Sequence, residues 1–399
     1  MWGVTCRMRH VAFVGALFLA GVTWDGLGVR RAAALEVTRF GDSGFLNVDF
    51  QIQARVGRRD QGTDATGAGS TSDFYVRRNR LSVHGAANET FGAVVQLEFN
   101  GGQRLGDTAV MPEERAYELV LLDAFVTANL ADTLKVRAGK TKHVLTREVQ
   151  EGCFDPLTMD RSLFLSGPFS YDEPEKSTRD LGLVLWGNAY DRTFQYRLAV
   201  MQGNAFGDGK PDGIGLRYTG RVHLTFFDKE GGIVYRGTYL GEKRVLTLGA
   251  GFEIQPSAVH SLGTTGAEDY WAYTLDAFYE HPTGRGTFTV SGAYLRADFG
   301  RAGVRGVADA QGVPGEKSGY YWKAGYLWRQ FQIYGRWENW SFASLNGVPG
   351  QKLGWLAGGL NYYVKGEDLR FTLEYSWHDF DKAPARDFHT ILLQGQARL

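Results

Sequence analysis

Along most of the chain apolar residues fall at every second position, the spacing of a strand with one apolar and one polar face. The run from Arg179 to Gly203, RDLGLVLWGNAYDRTFQYRLAVMQG, holds two such segments around a few turn-like residues. The same alternation recurs at 44–56, 73–85, 91–100, 118–130, 133–140, 179–187, 193–203 and 214–227. It continues at 244–254, 269–281, 286–298, 318–328, 331–342, 353–364, 368–380 and 388–399, which predicts about 16 strands. Most hold 10 to 14 residues. That length exceeds the roughly five or six of a soluble strand and suits a tilted crossing of about 25–30 Å of hydrocarbon.

The links between these segments alternate in length. Tight turns fall at AANET (86–90), ADT (131–133), Asn188 to Arg192, Asp228 to Gly232, Pro282 to Arg285, Arg329 to Gln330 and Lys365 to Glu367. Longer links occupy 57–72, 101–117, 141–178, 255–268, 299–317, 343–352 and 381–387. An outer-membrane barrel has this asymmetry, with short periplasmic turns and long outer loops. An even strand count then puts both ends of the chain on the periplasmic side.

The two faces separate cleanly. In the segment from Ile214, Leu216, Tyr218, Val222, Leu224 and Phe226 oppose Arg217, Thr219, Arg221, His223 and Thr225. In the first segment Leu46, Val48, Phe50, Ile52 and Val56 oppose Asn47, Asp49, Gln51, Gln53 and Arg55. A ring of this many strands encloses more volume than side chains fill, so water takes the polar interior and the apolar face meets lipid. Closure also pairs every strand edge, which is how a sheet satisfies its backbone in hydrocarbon. The expected fold is all-β, a closed antiparallel transmembrane β-barrel. Trp186, Trp271, Tyr320, Trp328, Trp337, Trp340, Tyr362 and Trp377, near strand ends, are expected in interfacial girdles, with some of them facing the lumen or a subunit neighbour instead.

One segment breaks the pattern. Residues 141–178, TKHVLTREVQEGCFDPLTMDRSLFLSGPFSYDEPEKST, lack sustained alternation but carry Val144, Leu145, Phe154, Leu157, Met159, Leu163, Phe164 and Phe169. A loop this long and this apolar is expected to fold into the lumen and narrow it.

Composition sharpens the picture. The 399 residues carry 44 basic and 44 acidic side chains, which gives no pointer to nucleic acid as a partner. Aromatics at 14% and 53 glycines suit strands and tight turns. At the N-terminus Arg7, Arg9 and His10 precede the apolar run Val11 to Val22, and Ala32 and Ala34 follow at an A-x-A spacing. That reads as a cleaved secretory signal peptide over 1–34, followed by a short periplasmic segment at 35–43 and the barrel from 44 to 399. Cys6 leaves with the peptide, so Cys153 is alone and forms no intrachain disulfide; it reads as a packed thiol.

RRNRLSVHG (77–85), LLDAFV (121–126), RAGKTKHVLTREV (137–149), MDRSLF (159–164), STRDLGLVLWG (177–187) and LAVMQGN (198–204), in that order, resemble the successive motifs of the phosphate-selective porin O/P family. The resemblance is strongest from about 74 to 204. It implies a 16-stranded homotrimeric channel in the outer membrane of a Gram-negative bacterium, with its third long loop inside. Lipid, lipopolysaccharide and the barrel-assembly machinery are the implied partners, and small hydrophilic solutes or anions the implied cargo. Family members usually end in an aromatic residue, whereas this chain ends in Leu399.

Selectivity is a separate question, because anion pores concentrate Arg and Lys along the path. Alternation aims Arg55, Arg78, Arg80, Lys135, Arg137, Arg197, Arg217, Arg221, Lys323, Arg336 and Arg370 inward. It aims Asp49, Glu98, Asp123, Asp180, Glu253, Asp276, Glu338 and Glu374 inward as well. The long loop carries Lys142, Arg147, Arg161 and Lys176 against Glu148, Glu151, Asp155, Asp160, Asp172, Glu173 and Glu175. A basic wall facing an acidic loop implies a transverse field, so a weakly selective diffusion pore is preferred to a phosphate- or anion-selective one. Any single charge here otherwise reads as solvated or locally paired.

The competing reading is an outer-membrane hydrolase. The histidines show no HExxH and no metal-ligand spacing, and no GxSxG stands in a nucleophile elbow, so no cofactor is implied. The best catalytic-looking group is His378 with Asp379 and Asp381.

Overall fold

A computed structural model describes residues 35–60, 69–100, 118–162, 178–203, 213, 215–260, 267–300, 315–345 and 348–399. The expected signal peptide lies outside them. The strands are β1 Leu35–Phe40, β2 Gly44–Arg59, β3 Thr71–Ala86, β4 Phe91–Asn100, β5 Glu118–Ala131, β6 Leu134–Lys142, β7 Arg179–Ala189 and β8 Phe194–Met201. There follow β9 Arg217–Phe227, β10 Val245–His260, β11 Ala267–Pro282, β12 Thr287–Asp298, β13 Glu316–Trp328 and β14 Phe331–Phe342. After a small hairpin, β15 Ser344–Leu345 with β16 Val348–Pro349, come β17 Lys352–Lys365, β18 Leu369–Phe380 and β19 Phe388–Arg398.

From β2 to β14 each strand pairs with the next; β14 then pairs with β17, and β17, β18 and β19 follow in order. β19 returns antiparallel to β2, with Thr390 opposite Arg59 and Arg398 opposite Gln51, so sixteen strands close a ring. All sixteen are the segments that period-two alternation marks out, with ends shifted by a few residues. β10 shifts most, continuing to His260 where alternation ends at 254. Among the described residues no helix is long and apolar enough to cross a membrane.

Burial inverts that of a soluble protein. On β9, Arg221 and His223 are 1% and 2% exposed while Val222 and Leu224 are 44% and 42% exposed. Phe252, Leu275, Phe288, Trp322, Ile333 and Leu356 are likewise exposed on the outer face. Trp328, Trp337 and Trp377 lie on the outer face, Trp328 at a strand end and Trp337 in the middle of β14. Trp186 and Trp340 do not: both are buried on the inner face, Trp340 Nε1 donating to Glu338 at 2.9 Å and Trp186 lying under the Lys135 ammonium at 4.7 Å. Each indole N–H or ring face finds a charged partner inside that lipid does not offer.

Two further elements depart from the sequence reading. Residues 35–40, within the short segment expected at 35–43 and outside the alternating segments, form β1, which pairs with the start of β2 from Leu35↔Val48 to Phe40↔Gly44. The link after β9, expected to be short, runs from 228 to 244 and turns back against the inner face, where Glu230, Ile233, Tyr235 and Tyr239 are buried.

Candidate functional site in the barrel interior

The described part of the long loop, 143–162, is buried almost throughout and meets the inner face at many points. Its one helical turn, α1 Arg147–Gln150, is capped by Thr146, whose Oγ1 accepts the Val149 N–H at 3.0 Å. Glu148 pairs with Lys323 of β13 at 2.8 Å. Arg336 of β14 donates to the Asp160 and Arg161 carbonyls at 3.2 and 3.3 Å. Arg370 of β18 donates to the Pro156 carbonyl at 2.9 Å, and Arg398 of β19 pairs with Asp155. Arg221 of β9 reaches the Leu145 carbonyl at 3.4 Å.

Asp160 is held by three guanidiniums. Arg55 of β2 holds one of its oxygens at 2.6 Å, Arg78 of β3 the other at 2.9 Å, and Arg77 approaches to 3.6 Å. Burial works against the charge, but Arg55, Arg78 and Arg77 outweigh it and hold Asp160 well below the usual carboxylate range. Strict alternation points Arg77 outward. A register shift between Gln53 and Ala54 gives β3 an extra residue there, and the bulge turns Arg77 inward beside Arg78.

The other expected wall cations are placed as follows. Arg80 pairs with Glu98, Arg217 lies 3.3 Å from Asp180, and Arg221 grips Asp276 with two bonds at 2.6 and 2.9 Å. Arg336 pairs with Glu338, and Arg370 lies 2.9 Å from Glu367. Lys135 sits at the short-turn end on Asp132 at 2.7 Å, while Arg137 stacks 4.1 Å over Phe125 and reaches Thr141. Within the loop, Lys142 donates to the Glu151 carbonyl at 2.9 Å and Arg161 to the Glu148 carbonyl at 3.0 Å. Asp172, Glu173, Glu175 and Lys176 lie outside the described residues. The loop acids Glu148, Asp155 and Asp160 touch wall cations directly rather than facing them across a gap.

The 228–244 segment is the part of the site that sequence reasoning missed. Tyr235 runs briefly parallel to Glu151: its N–H donates to the Gln150 carbonyl and its carbonyl accepts from Gly152, both at 3.1 Å. Arg147 crosses to Glu230 at 2.8 Å, fully buried, and Tyr239 Oη donates to the same carboxylate at 2.6 Å. Arg147 and Arg197 stack on Tyr235 at 4.4 and 4.2 Å. Glu230 is held at about 2: burial raises it, and Arg147, Thr247 and Tyr239 more than compensate. The only sequence signal was a Glu and two Tyr in a link with no alternation.

His378, Asp379 and Asp381 do not converge. His378 lies between Trp355 and Phe388, ring centroids 4.5 and 4.4 Å away, with Arg336 over Trp355 at 3.8 Å and Arg59 over Phe388 at 3.6 Å. Asp381 accepts the Lys352 N–H at 2.6 Å instead. Cys153 is buried, and its carbonyl accepts from Gln53 at 3.3 Å.

Residues 46–232 match the family model described as phosphate-selective porin O and P. A protein of Aquifex aeolicus (strain VF5) described as uncharacterized is 22% identical over 379 residues, covering 88% of this chain and 86% of its own. The anion-selective porin from Comamonas acidovorans superposes with a TM-score of 0.59 at 11% identity, over 90% of this chain and all of that one. The outer membrane channel DcaP of Acinetobacter baumannii gives 0.56 at 10% identity, over 91% of this chain and 99% of that one. Residues 46–232 thus carry the pattern of the phosphate-selective porin O and P family model, and the sixteen-stranded ring that contains them is the fold shared with the superposed outer-membrane channels.

Proposed function

We propose that this porin is a weakly selective channel for passive diffusion of small hydrophilic solutes and ions, narrowed by the 141–178 segment, and that it works as a homotrimer. The observation that carries weak selectivity is local neutralisation. Arg221–Asp276, Arg147–Glu230, Lys323–Glu148 and Arg179–Asp123 pair at 2.6 to 3.0 Å. A charge so paired projects little field along the path, and a solute meets dipoles of both signs. Export through the 1–34 signal peptide and assembly with the long loops outward belong to the same reading.

Single-channel conductance in planar bilayers tests it. A KCl gradient should give a reversal potential near zero, with openings in multiples of three and little block of chloride current by millimolar phosphate. A large anionic reversal potential with strong phosphate block would replace this reading with an anion-selective one. That alternative is favoured by one feature, the three guanidiniums around Asp160, and by the anion selectivity named for the Comamonas acidovorans porin.

A further inference from the structure

In a closed barrel an inward side chain meets water only through the lumen, so its exposure marks where the lumen is open. By that measure the interior is one-sided. The inward residues from Tyr270 to Glu280 on β11, Thr287 to Ala297 on β12, Lys317 to Leu327 on β13 and Gln332 to Phe342 on β14 are all buried, as is the inward face of β9 from Arg217 to Thr225. Ion pairs on these strands, such as Arg221–Asp276 and Lys323–Glu148, are therefore out of a solute's reach.

The β2–β5 side differs. Toward the short turns, Asn47, Asp49 and Gln51 of β2, His84 of β3, Gln96 of β4 and Thr127 of β5 point inward and are all partly exposed. The Asp49 and His84 side chains are 24% and 32% exposed. The long loop agrees: between 143 and 162 only Gly152, Asp155 and Asp160 are partly exposed, and Asp155 touches Arg398 of β19 while Asp160 touches β2 and β3.

The chemistry of this open wall is mostly uncharged. Amides and a hydroxyl come from Asn47, Gln51, Gln96 and Thr127, and Gln96 Nε2 donates to Ser82 Oγ at 2.7 Å. The charges are held locally: His84 Nδ1 lies 2.9 Å from Asp49 Oδ2, Lys135 is bound to Asp132 and Arg137 stacks on Phe125. His84 Nε2 faces Asn47 Nδ2 at 3.3 Å. Amide and hydroxyl groups both give and accept hydrogen bonds, which matches a solute hydroxyl that does the same.

We propose that the solute path runs off-centre, along the β2–β5 side of the interior, and that its amide and hydroxyl wall takes small uncharged solutes rich in hydroxyl groups. This rests on the channel reading above.

Single cysteines in a Cys153→Ser background test the path, each variant shown to be folded by heat-modifiable gel migration, with a cationic methanethiosulfonate as the probe. Gln96→Cys and Thr127→Cys face the open side; Thr289→Cys on β12 and Thr372→Cys on β18 replace residues that are 0% exposed. A buried site reacts only through a local opening, so loss of KCl current should be at least about tenfold faster at the first two. Equal rates at all four, or faster loss at Thr289→Cys or Thr372→Cys, would overturn the path. Should the Cys153→Ser background not conduct, the channel reading fails by itself, and the rate of labelling followed by mass spectrometry decides the open side by the same ratio. Swelling of proteoliposomes tests the solute class: glucose should enter faster than gluconate, which matches it in size, and faster entry of gluconate would overturn that class.

Discussion

The two segments that turn against the inner face are anchored in opposite ways. Residues 143–162 reach strands distant in the ring, through Lys323, Arg336, Arg370 and Arg398, so side-chain charge on the far wall sets their place. Residues 228–244 stay beside β9, β10 and the strands near them in the ring. Glu280 of β11 accepts from the N–H groups of Tyr239 and Gly241, both at 2.9 Å, and from Thr238 Oγ1 at 3.0 Å. The first is a bridge and the second a ledge, and they meet through Arg147–Glu230 and the backbone bonds around Tyr235. The difference teaches that a long span across a wet interior needs a local support that fixes its near end.

Three changes separate bridge from ledge. The largest effect is expected from Arg147→Met, which leaves Glu230 buried without its cation; losing one partner of such a pair costs about 3–5 kcal/mol. The midpoint of urea unfolding in lipid vesicles should fall accordingly, and an unchanged midpoint would mean that the ledge does not support the bridge. Gly237→Ala acts at the contact itself. A Cβ there would stand 2.5 Å from the Leu157 nitrogen and 2.9 Å from the Asp155 carbonyl oxygen, both backbone, so the two segments must part. Overpacking of this kind costs about 1–3 kcal/mol, and it should raise open-channel noise while the barrel keeps its heat-modifiable migration. Normal noise and stability would show that the contact is dispensable.

The third change acts on pH dependence. Burial, and then the neighbouring Glu148, raise the Glu151 carboxyl from its ordinary 4.5 to about 8. The folded chain keeps a proton that the unfolded chain releases, so this group lowers stability as pH rises from 4.5 to about 8 and adds no further change above that. Glu151→Gln should flatten the fall in unfolding temperature across that window. A slope equal to wild type would place the titration elsewhere.

The wall was legible because each strand is its own record: lipid on one side and water on the other write a period of two into residues such as 214–227, whatever the rest of the chain does. What lies against the wall was less legible. The loop at 141–178 stood out only by lacking that period, and its partners Arg398, Glu374 and Asn361 are more than 200 residues away. The 228–244 ledge was read as a tight turn because Asp228 to Gly232 looks like one and nothing after it alternates. Arg77 was left out of the inward set because alternation has no way to register a bulge, which is a property of two strands rather than one. Trp186 and Trp340 were assigned by residue type, and an indole is satisfied equally by an interface or by a buried ion.

The seam where β19 meets β2 joins residues such as Arg55 and Gln394, 339 positions apart. Residues 153–155 bind both of its sides: Gln53 of β2 donates to the Cys153 carbonyl, Gln396 of β19 to the Phe154 carbonyl at 2.9 Å, and Arg398 pairs with Asp155. They act as a clasp. Loop closure over such a separation carries an entropic cost before any contact rewards it. A clasp that engages both edges ties the seat of the mid-chain segment to the closure of the ring, so each helps to hold the other in place.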